Sequence, residues 1–299
     1  MSEHLRPEHP RTEHLRQRYY RPTTRAEALA ALAGEGGNAR PLVGGTDLLV
    51  GLRHHTLEPT LIVDLKTITD LPEPIEVTED GVLVGPTLTM GELVSHPVVQ
   101  RWYPALVEAA LTVGSVAIRN RASLIANSCN GSPAADTAPA LLVHGATVTI
   151  ESLEGERTAP LAEFFLGPRR TLCRPGELVT RIELPRPEDG SGSAFRRLTR
   201  RRGVDLATVS VAAGVDRDGR VVLGLGAVGP RPIRTALDQP VDLADGPALE
   251  RALDERLAVA TPISDIRGSR EYRVAMVRVL AKRAVLAAAH RRTHEEMAS

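Results

Sequence analysis

The stretch Arg40-Pro-Leu-Val-Gly-Gly-Thr-Asp-Leu-Leu-Val50 constrains the fold more than any other, because an apolar run is broken there by two adjacent glycines, a hydroxyl and a carboxylate. Gly44 and Gly45 can take backbone angles closed to other residues, and they admit a ligand to the main chain with no Cβ in the way. Successive free N–H groups in such a turn form an anion-binding concavity, to which Thr46 adds a hydroxyl donor. A pyrophosphate fits that chemistry, but so does the plainer reading of a tight turn after a strand. The flanking pattern sets the topology. Residues 39–43 read as a short buried strand, 48–52 as a helix and 61–65 as a second buried strand, giving a small parallel βαβ unit with the Gly-Gly turn at its ligand end.

With 299 residues the chain exceeds what one core usually serves, so two domains are expected, and a 42% hydrophobic fraction can fill them. Lys+Arg 37 against Asp+Glu 37 leaves no net charge, and with it no overall electrostatic reason for a nucleic-acid or anionic-membrane partner. No apolar run approaches a membrane span, and residues 1–18 are polar and His-rich, a disordered tail by composition, without a secretory core. The expected location is cytoplasmic. Two cysteines, Cys129 and Cys173, cannot build a four-thiolate iron–sulfur or zinc site, and no disulfide is expected in that compartment.

The remaining segments predict an α+β scaffold. Thr23 or Thr24 should cap a helix over 26–33 that ends at the Gly34–Gly37 stretch. Residues 75–85 read as a hairpin about Asp80-Gly81, and Thr89 should cap another helix. Apolar residues from Val98 to Leu111 recur at helical spacing and predict one buried face that includes Trp102. Strands are expected over 147–151 and 178–184, then antiparallel strands over 207–216 and 220–227. Residues 247–257 and 272–290 should be helices, the second with Tyr272, Ala275, Met276, Val279, Leu280, Ala284 and Leu286 on or near a shared face. The Pro- and Gly-rich segment 187–193 is the best linker, separating 19–186 from 194–299.

A second informative stretch runs from Val116 to Pro139. It is dense in hydrogen-bonding side chains, Asn120, Ser123, Asn127, Asn130, Ser132 and Asp136, set among small apolar residues. Buried polar groups need partners, so such a segment is either a stapled loop network or a ligand cradle. Asp136 could equally serve the start of the helix that follows. The pairing of Gly44-Gly45-Thr46-Asp47-Leu48 with Ile118-Arg-Asn-Arg121, Asn127 and Ser132-Pro-Ala-Ala-Asp136 resembles the FAD-binding medium subunit of the molybdenum hydroxylases, the family of xanthine dehydrogenase and aerobic carbon monoxide dehydrogenase. The likeness continues through Ala194-Phe-Arg-Arg197, Leu225-Gly-Ala-Val-Gly-Pro230 and Asp265-Ile-Arg-Gly-Ser-Arg270.

That resemblance implies a two-subdomain FAD-binding fold of the vanillyl-alcohol-oxidase (PCMH) type, followed by a smaller α+β domain with a short antiparallel sheet and helices. It implies FAD as cofactor, with Val43, Gly44, Gly45, Thr46, Asp47, Leu48 and Leu49 wrapping the pyrophosphate. Ser123, Leu124, Ile125, Ala126 and Asn127 would close over the same phosphates, with Ser132 and Asp136 nearby and Arg197 where the family usually has a lysine near the flavin. Ile125 and Ala126 stand where the family motif carries two glycines. A β-branched residue at positive φ would be costly there, and a close backbone approach would crowd the phosphate. The implied partners are a large molybdenum-cofactor subunit and a small subunit with two iron–sulfur clusters, in a hetero-oligomer. The implied activity is electron transfer from those clusters through flavin to an external acceptor. A stand-alone flavoenzyme and a subunit that has lost its flavin are the alternatives. The pattern nominates no acid, base, nucleophile or metal ligand in this chain.

Overall fold

The structure is a computed structural model that describes residues 17–296, with side chains described to Arg292. Of the segment read as a disordered tail, residues 1–16 lie outside the described residues; Arg18 already belongs to strand β1 (Arg18–Tyr20).

β1, β2 (Ala39–Leu42) and β3 (Leu61–Asp64) form a parallel sheet in the order β1-β3-β2. Helix α1 (Arg25–Gly34) packs Ala28, Leu29 and Leu32 on it. Thr24 and Glu27 close a capping box at the start of α1, the side chain of each satisfying a backbone N–H of the other. Helix α2 (Leu48–Arg53) connects β2 to β3, completing the βαβ unit with the Gly-Gly turn between β2 and α2.

The second subdomain is an antiparallel sheet in the order β4-β5-β10-β6-β7, built from β4 (Ile75–Val77), β5 (Gly81–Val84), β6 (Thr147–Ser152), β7 (Gly155–Pro160) and β10 (Leu178–Pro185). A small hairpin, β8 (Phe165–Gly167) with β9 (Arg170–Thr171), projects from it. Six helices sit between β5 and β6: α3 (Met90–Ser95), α4 (Pro97–Trp102), α5 (Pro104–Leu111), α6 (Val116–Arg119), α7 (Leu124–Cys129) and α8 (Thr137–Val143). One short helix, α9 (Leu161–Phe164), follows β7. The single face expected over 98–111 is two helices, because Pro104 has no N–H to continue α4 and starts α5 at its first position. Trp102 packs half-buried against the core, with the Arg186 guanidinium 5.3 Å from its ring centre.

The third layer is an antiparallel meander of β11 (Gly192–Leu198), β12 (Val209–Val215), β13 (Val221–Gly226) and β14 (Ile233–Ala236), covered by α10 (Gly246–Leu257) and α11 (Arg270–Glu296). The buried face of α11 is Val277, Leu280, Ala281, Ala284, Val285 and Ala288. This corrects the sequence expectation, since Tyr272, Ala275, Val279 and Leu286 are exposed. Three alanines share that face with Val277, Leu280 and Val285, and at its far end the helix lies so close to the sheet that a Cβ on Gly192 would sit 2.1 Å from the Ala288 carbonyl oxygen.

The meander also packs on the second subdomain. A Cβ on Gly224 would lie 2.0 Å from the Pro139 carbonyl oxygen of α8, so only glycine lets that strand and helix meet. Across the same seam Phe195 N donates to Glu108 Oε2 at 2.7 Å, and Arg291 and Arg196 share that carboxylate. Among the described residues no helix is long and apolar enough to cross a membrane.

Candidate functional site

The Gly-Gly turn is shaped by two different demands. Gly45 sits at φ +74°, the left-handed region that favours glycine. Gly44 has no room for a side chain, since a Cβ would fall 1.7 Å from the Arg121 carbonyl oxygen. The turn therefore lies directly against the second informative stretch, and Asn130 Nδ2 pins it by donating to Asp47 Oδ2 at 2.6 Å.

Backbone accounting shows what the turn offers. The amides of Gly44, Gly45, Thr46, Asp47 and Leu48 meet no acceptor among the described residues, whereas Leu49 N and Gly51 N are already bonded within the turn of α2. Five successive unpaired donors are costly unless water or a ligand takes them, and their collective field favours an anion. Val43 and Gly44 line a cleft of about 400 Å³ with Lys66, Thr87, Thr89 and Arg121. Lys66 Nζ reaches the Val43 carbonyl at 3.1 Å and pairs with the buried Asp64. Burial pushes the Asp64 carboxyl up, but the bonds from Lys66 and Tyr19 outweigh it and hold it below its ordinary value. Lys66 was not singled out from the sequence, where its one signal was a lysine just past a buried strand, and Thr89 was read only as a helix cap.

Across from the turn, Ser123 caps α7, accepting from Ala126 N at 3.4 Å. Its side chain is buried, as are those of Leu124 and Ile125, which point into the core. Ala126 is exposed and Asn127 is half-buried, its Oδ1 accepting from Thr137 Oγ1 at 2.7 Å. The departure at Ile125 and Ala126 is thus accommodated. Neither residue is among the non-glycine residues at positive φ, and the isoleucine is a core residue. The Ile125 amide meets no acceptor among the described residues.

Ser132 turns its hydroxyl to Ala134 N at 3.3 Å, and the carbonyl of Pro133 accepts from Ala227 N. Asp136 occupies the cap position of α8 but makes no capping bond. Its Oδ2 instead accepts from Arg197 on β11 at 2.6 Å; the Thr112 hydroxyl also lies against this carboxylate, whose buried Oδ1 makes no well-aligned hydrogen bond. Burial is the largest influence on this carboxyl and pushes it up to about 6 against the opposing pull of Arg197. A buried acceptor without a well-aligned bond is expensive, and a ligand N–H or O–H arriving there would relieve it.

A larger cleft, about 680 Å³, lies at the far end of α8 and β12 and contains none of these residues; Trp102, His144, Arg186 and Arg220 are on its walls. Burial there lowers the His144 imidazole to about 4, so it is neutral at pH 7.

Comparison with known proteins joins these features. Residues 13–187 match the family described as the FAD binding domain in molybdopterin dehydrogenase, and residues 193–288 match the CO dehydrogenase flavoprotein C-terminal domain. The chain belongs to the FAD-binding subunits of the molybdopterin dehydrogenases. Within that family it is 32% identical over 279 residues to the xanthine dehydrogenase FAD-binding subunit of Escherichia coli O157:H7, covering 89% of this chain and 94% of that one. The carbon monoxide dehydrogenase medium chain of Afipia carboxidovorans is 32% identical over 283 residues, with the same coverage. The solved structure of reconstituted CO dehydrogenase from Oligotropha carboxidovorans superposes with a TM-score of 0.86 at 31% identity, over 92% of this chain and 98% of that one. The FAD-binding fold with a C-terminal domain, expected from the resemblance, is the fold of this flavoprotein subunit.

Proposed function

We propose that this chain carries FAD as the electron-transfer subunit of a molybdenum hydroxylase complex, between an iron–sulfur partner and an external acceptor. The observation that carries the reading is the run of amides at Gly44–Leu48 that meet no acceptor among the described residues. Bound FAD would supply the redox chemistry, and the protein supplies position and charge. Within the run Val43–Leu49, the amides of Gly44 to Leu48 would take the pyrophosphate, with the Ile125 amide of α7 as a further donor. Lys66 adds a cation at the mouth of the cleft. Asp136 Oδ1 offers an acceptor to the cofactor, and Arg197 holds that carboxylate while keeping a permanent positive charge beside it. Residues 123–127 and Ser132 serve by backbone placement.

The partners in this proposal are a large molybdenum-cofactor subunit and a two-cluster iron–sulfur subunit, in the cytoplasm. Residues 19–186 would be the flavin-binding unit and 194–299 the C-terminal domain, joined through the loop between Pro185 and Gly192. Purifying the complex and recording its visible spectrum tests the reading. One flavin per copy of this chain is expected, and a complex with its metals present but no flavin band would overturn it.

A further inference from the structure

Two loops meet at one end of the meander and make a face that the flavin site does not use. The first, residues 199–207, runs from β11 to β12, and its base is closed by Thr208 N donating to the Leu198 carbonyl at 2.8 Å. The second, residues 258–269, joins α10 to α11. Arg200 Nη1 ties them by donating to the Ile266 carbonyl at 3.4 Å, and the buried Arg273 of α11 donates to the Thr208 carbonyl at 2.7 Å and to Asp265 Oδ1 at 2.6 Å. The aspartates of these loops are consumed within them. Asp205 pairs with Arg200 at 3.6 Å and accepts from Leu206 N at 2.9 Å, while Asp265 accepts from Arg267 N and Arg273. The outward remainder is cationic and apolar. Arg200, Arg201, Arg202 and Arg270 are exposed, against Glu271 in the first turn of α11. Among them stand Ile266, 81% exposed, Ile263, 69% exposed, and the half-exposed Val204 and Leu206. Arginines set around exposed aliphatic side chains have the composition of a protein contact, not of plain solvated surface. The chain as a whole has no net charge, so this excess is local. It also lies beside the proposed site, because Arg197, which holds Asp136, is next to the loop's base at Leu198.

We propose that this face docks the external electron acceptor, and that the acceptor is an acidic one-electron carrier protein. Carboxylates on the carrier meet the arginines and steer it in, and an apolar patch on it covers Ile266 and Ile263. A brief, charge-steered contact of modest area suits repeated electron exchange, since each carrier must leave before the next arrives. Each docking moves one electron from the complex to one oxidised carrier, so two dockings discharge the electron pair delivered by one substrate oxidation; no atom is transferred and no bond is made or broken. The inference rests on the flavin reading for the source of the electrons, whereas the docking itself needs only the protein surface.

The test measures, by biolayer interferometry, binding of the purified complex to immobilised plastocyanin, an acidic blue-copper carrier, and to immobilised cytochrome c, a basic one. The expected result is association with plastocyanin alone, its rate falling about tenfold or more between about 0.01 M and 0.15 M ionic strength, as the Debye length shrinks from about 30 Å to 8 Å. The side chains of Arg202 and Arg270 donate no hydrogen bond among the described residues, so the double variant Arg202→Glu with Arg270→Glu should fold, keep its partners and associate about tenfold or more slowly. Ile266→Ser should leave association unchanged and speed dissociation. Arg217→Glu, at an exposed position beyond the opposite end of β12, should change neither. Unchanged binding in the double variant, preference for cytochrome c, or capture by phosphatidylserine vesicles with none by plastocyanin would overturn the proposal. Flavin absorbance of the same samples separates the two readings: a flavin-free complex that still binds plastocyanin through these arginines defeats only the cofactor assignment, and a flavin-loaded complex that does not bind it defeats only the docking face.

Discussion

Replacing Gly44 by alanine presses on the joint between the two ligand-facing segments. The added Cβ would lie 1.7 Å from the Arg121 carbonyl oxygen, 2.5 Å from its carbon and 3.1 Å from Ala122 N. All three are backbone atoms, so no rotamer change relieves the clash. A relaxed carbon–oxygen contact is about 3.3 Å, so the turn must retreat by roughly 1.5 Å. A hydrogen bond of about 2.9 Å stretched by that amount is no longer one. Bonds to a charged group contribute about 1.5–3 kcal/mol each, so losing two costs about 3–6 kcal/mol. In affinity that is a loss of roughly 10²- to 10⁴-fold for FAD. The turn lies outside the three hydrophobic cores, so the fold itself should lose only the ~1–3 kcal/mol typical of a local overpacking. Gly45→Ala is the control. It faces a left-handed φ costing about 1–2 kcal/mol, but its Cβ would meet only side-chain atoms of Leu42 and Leu49 at 3.0–3.3 Å, which can yield. Flavin fluorescence titration of the reconstituted protein, with a circular dichroism melt beside it, reads both effects. Unchanged FAD affinity in Gly44→Ala with a native melt would refute the reasoning.

Three further outcomes follow from particular residues. Ile125→Gly, which restores the glycine of the family motif, should not tighten flavin binding and should destabilise the chain by about 3–5 kcal/mol in urea unfolding, because the side chain fills the core; tighter binding would contradict the placement. Asp136 titrates near 6 when folded, above its unfolded value of 3.8, so the folded flavin-free protein holds the extra proton between about pH 4 and 6 and its stability falls as pH rises through that window. The swing is up to roughly 3 kcal/mol, and Asp136→Asn should remove it from urea unfolding curves at pH 4.5 and 7. Tyr103 is fully buried and donates its hydroxyl to Leu184 O at 2.9 Å and Pro185 O at 3.1 Å, so Tyr103→Phe should cost about 1–2 kcal/mol in the same assay.

Much of the fold was legible where local chemistry and the tertiary answer agree. Thr23 or Thr24, and Thr89, marked two helix starts, and in the structure Thr24 with Glu27 and Thr89 with Glu92 close capping boxes there. The Gly-Gly turn between two short apolar runs announced the parallel unit, and Asp80-Gly81 and Asp218-Gly219 announced the hairpins. Residues 122–130 hid a helix, because α7 is short, buries only Leu124, Ile125 and Ser128, and lacks the repeat by which longer helices are read. On α11 Tyr272, Val279 and Leu286 suggested the wrong face, and the close approach of Gly192 to the helix backbone at Ala288 has no local signature. The Asp136–Arg197 pair joins residues 61 apart in the chain, and the cleft-lining Lys66 and Thr89 come from different subdomains, so neither arrangement has a local signature.

Amide hydrogen exchange across residues 43–49, with and without FAD, tests the central claim most directly. The account predicts that Gly44, Gly45, Thr46, Asp47 and Leu48 exchange rapidly in the flavin-free chain, for want of acceptors, and become strongly protected on binding, together with Ile125. Saturating flavin that leaves those six amides at their free rates, while protecting others elsewhere, would contradict it.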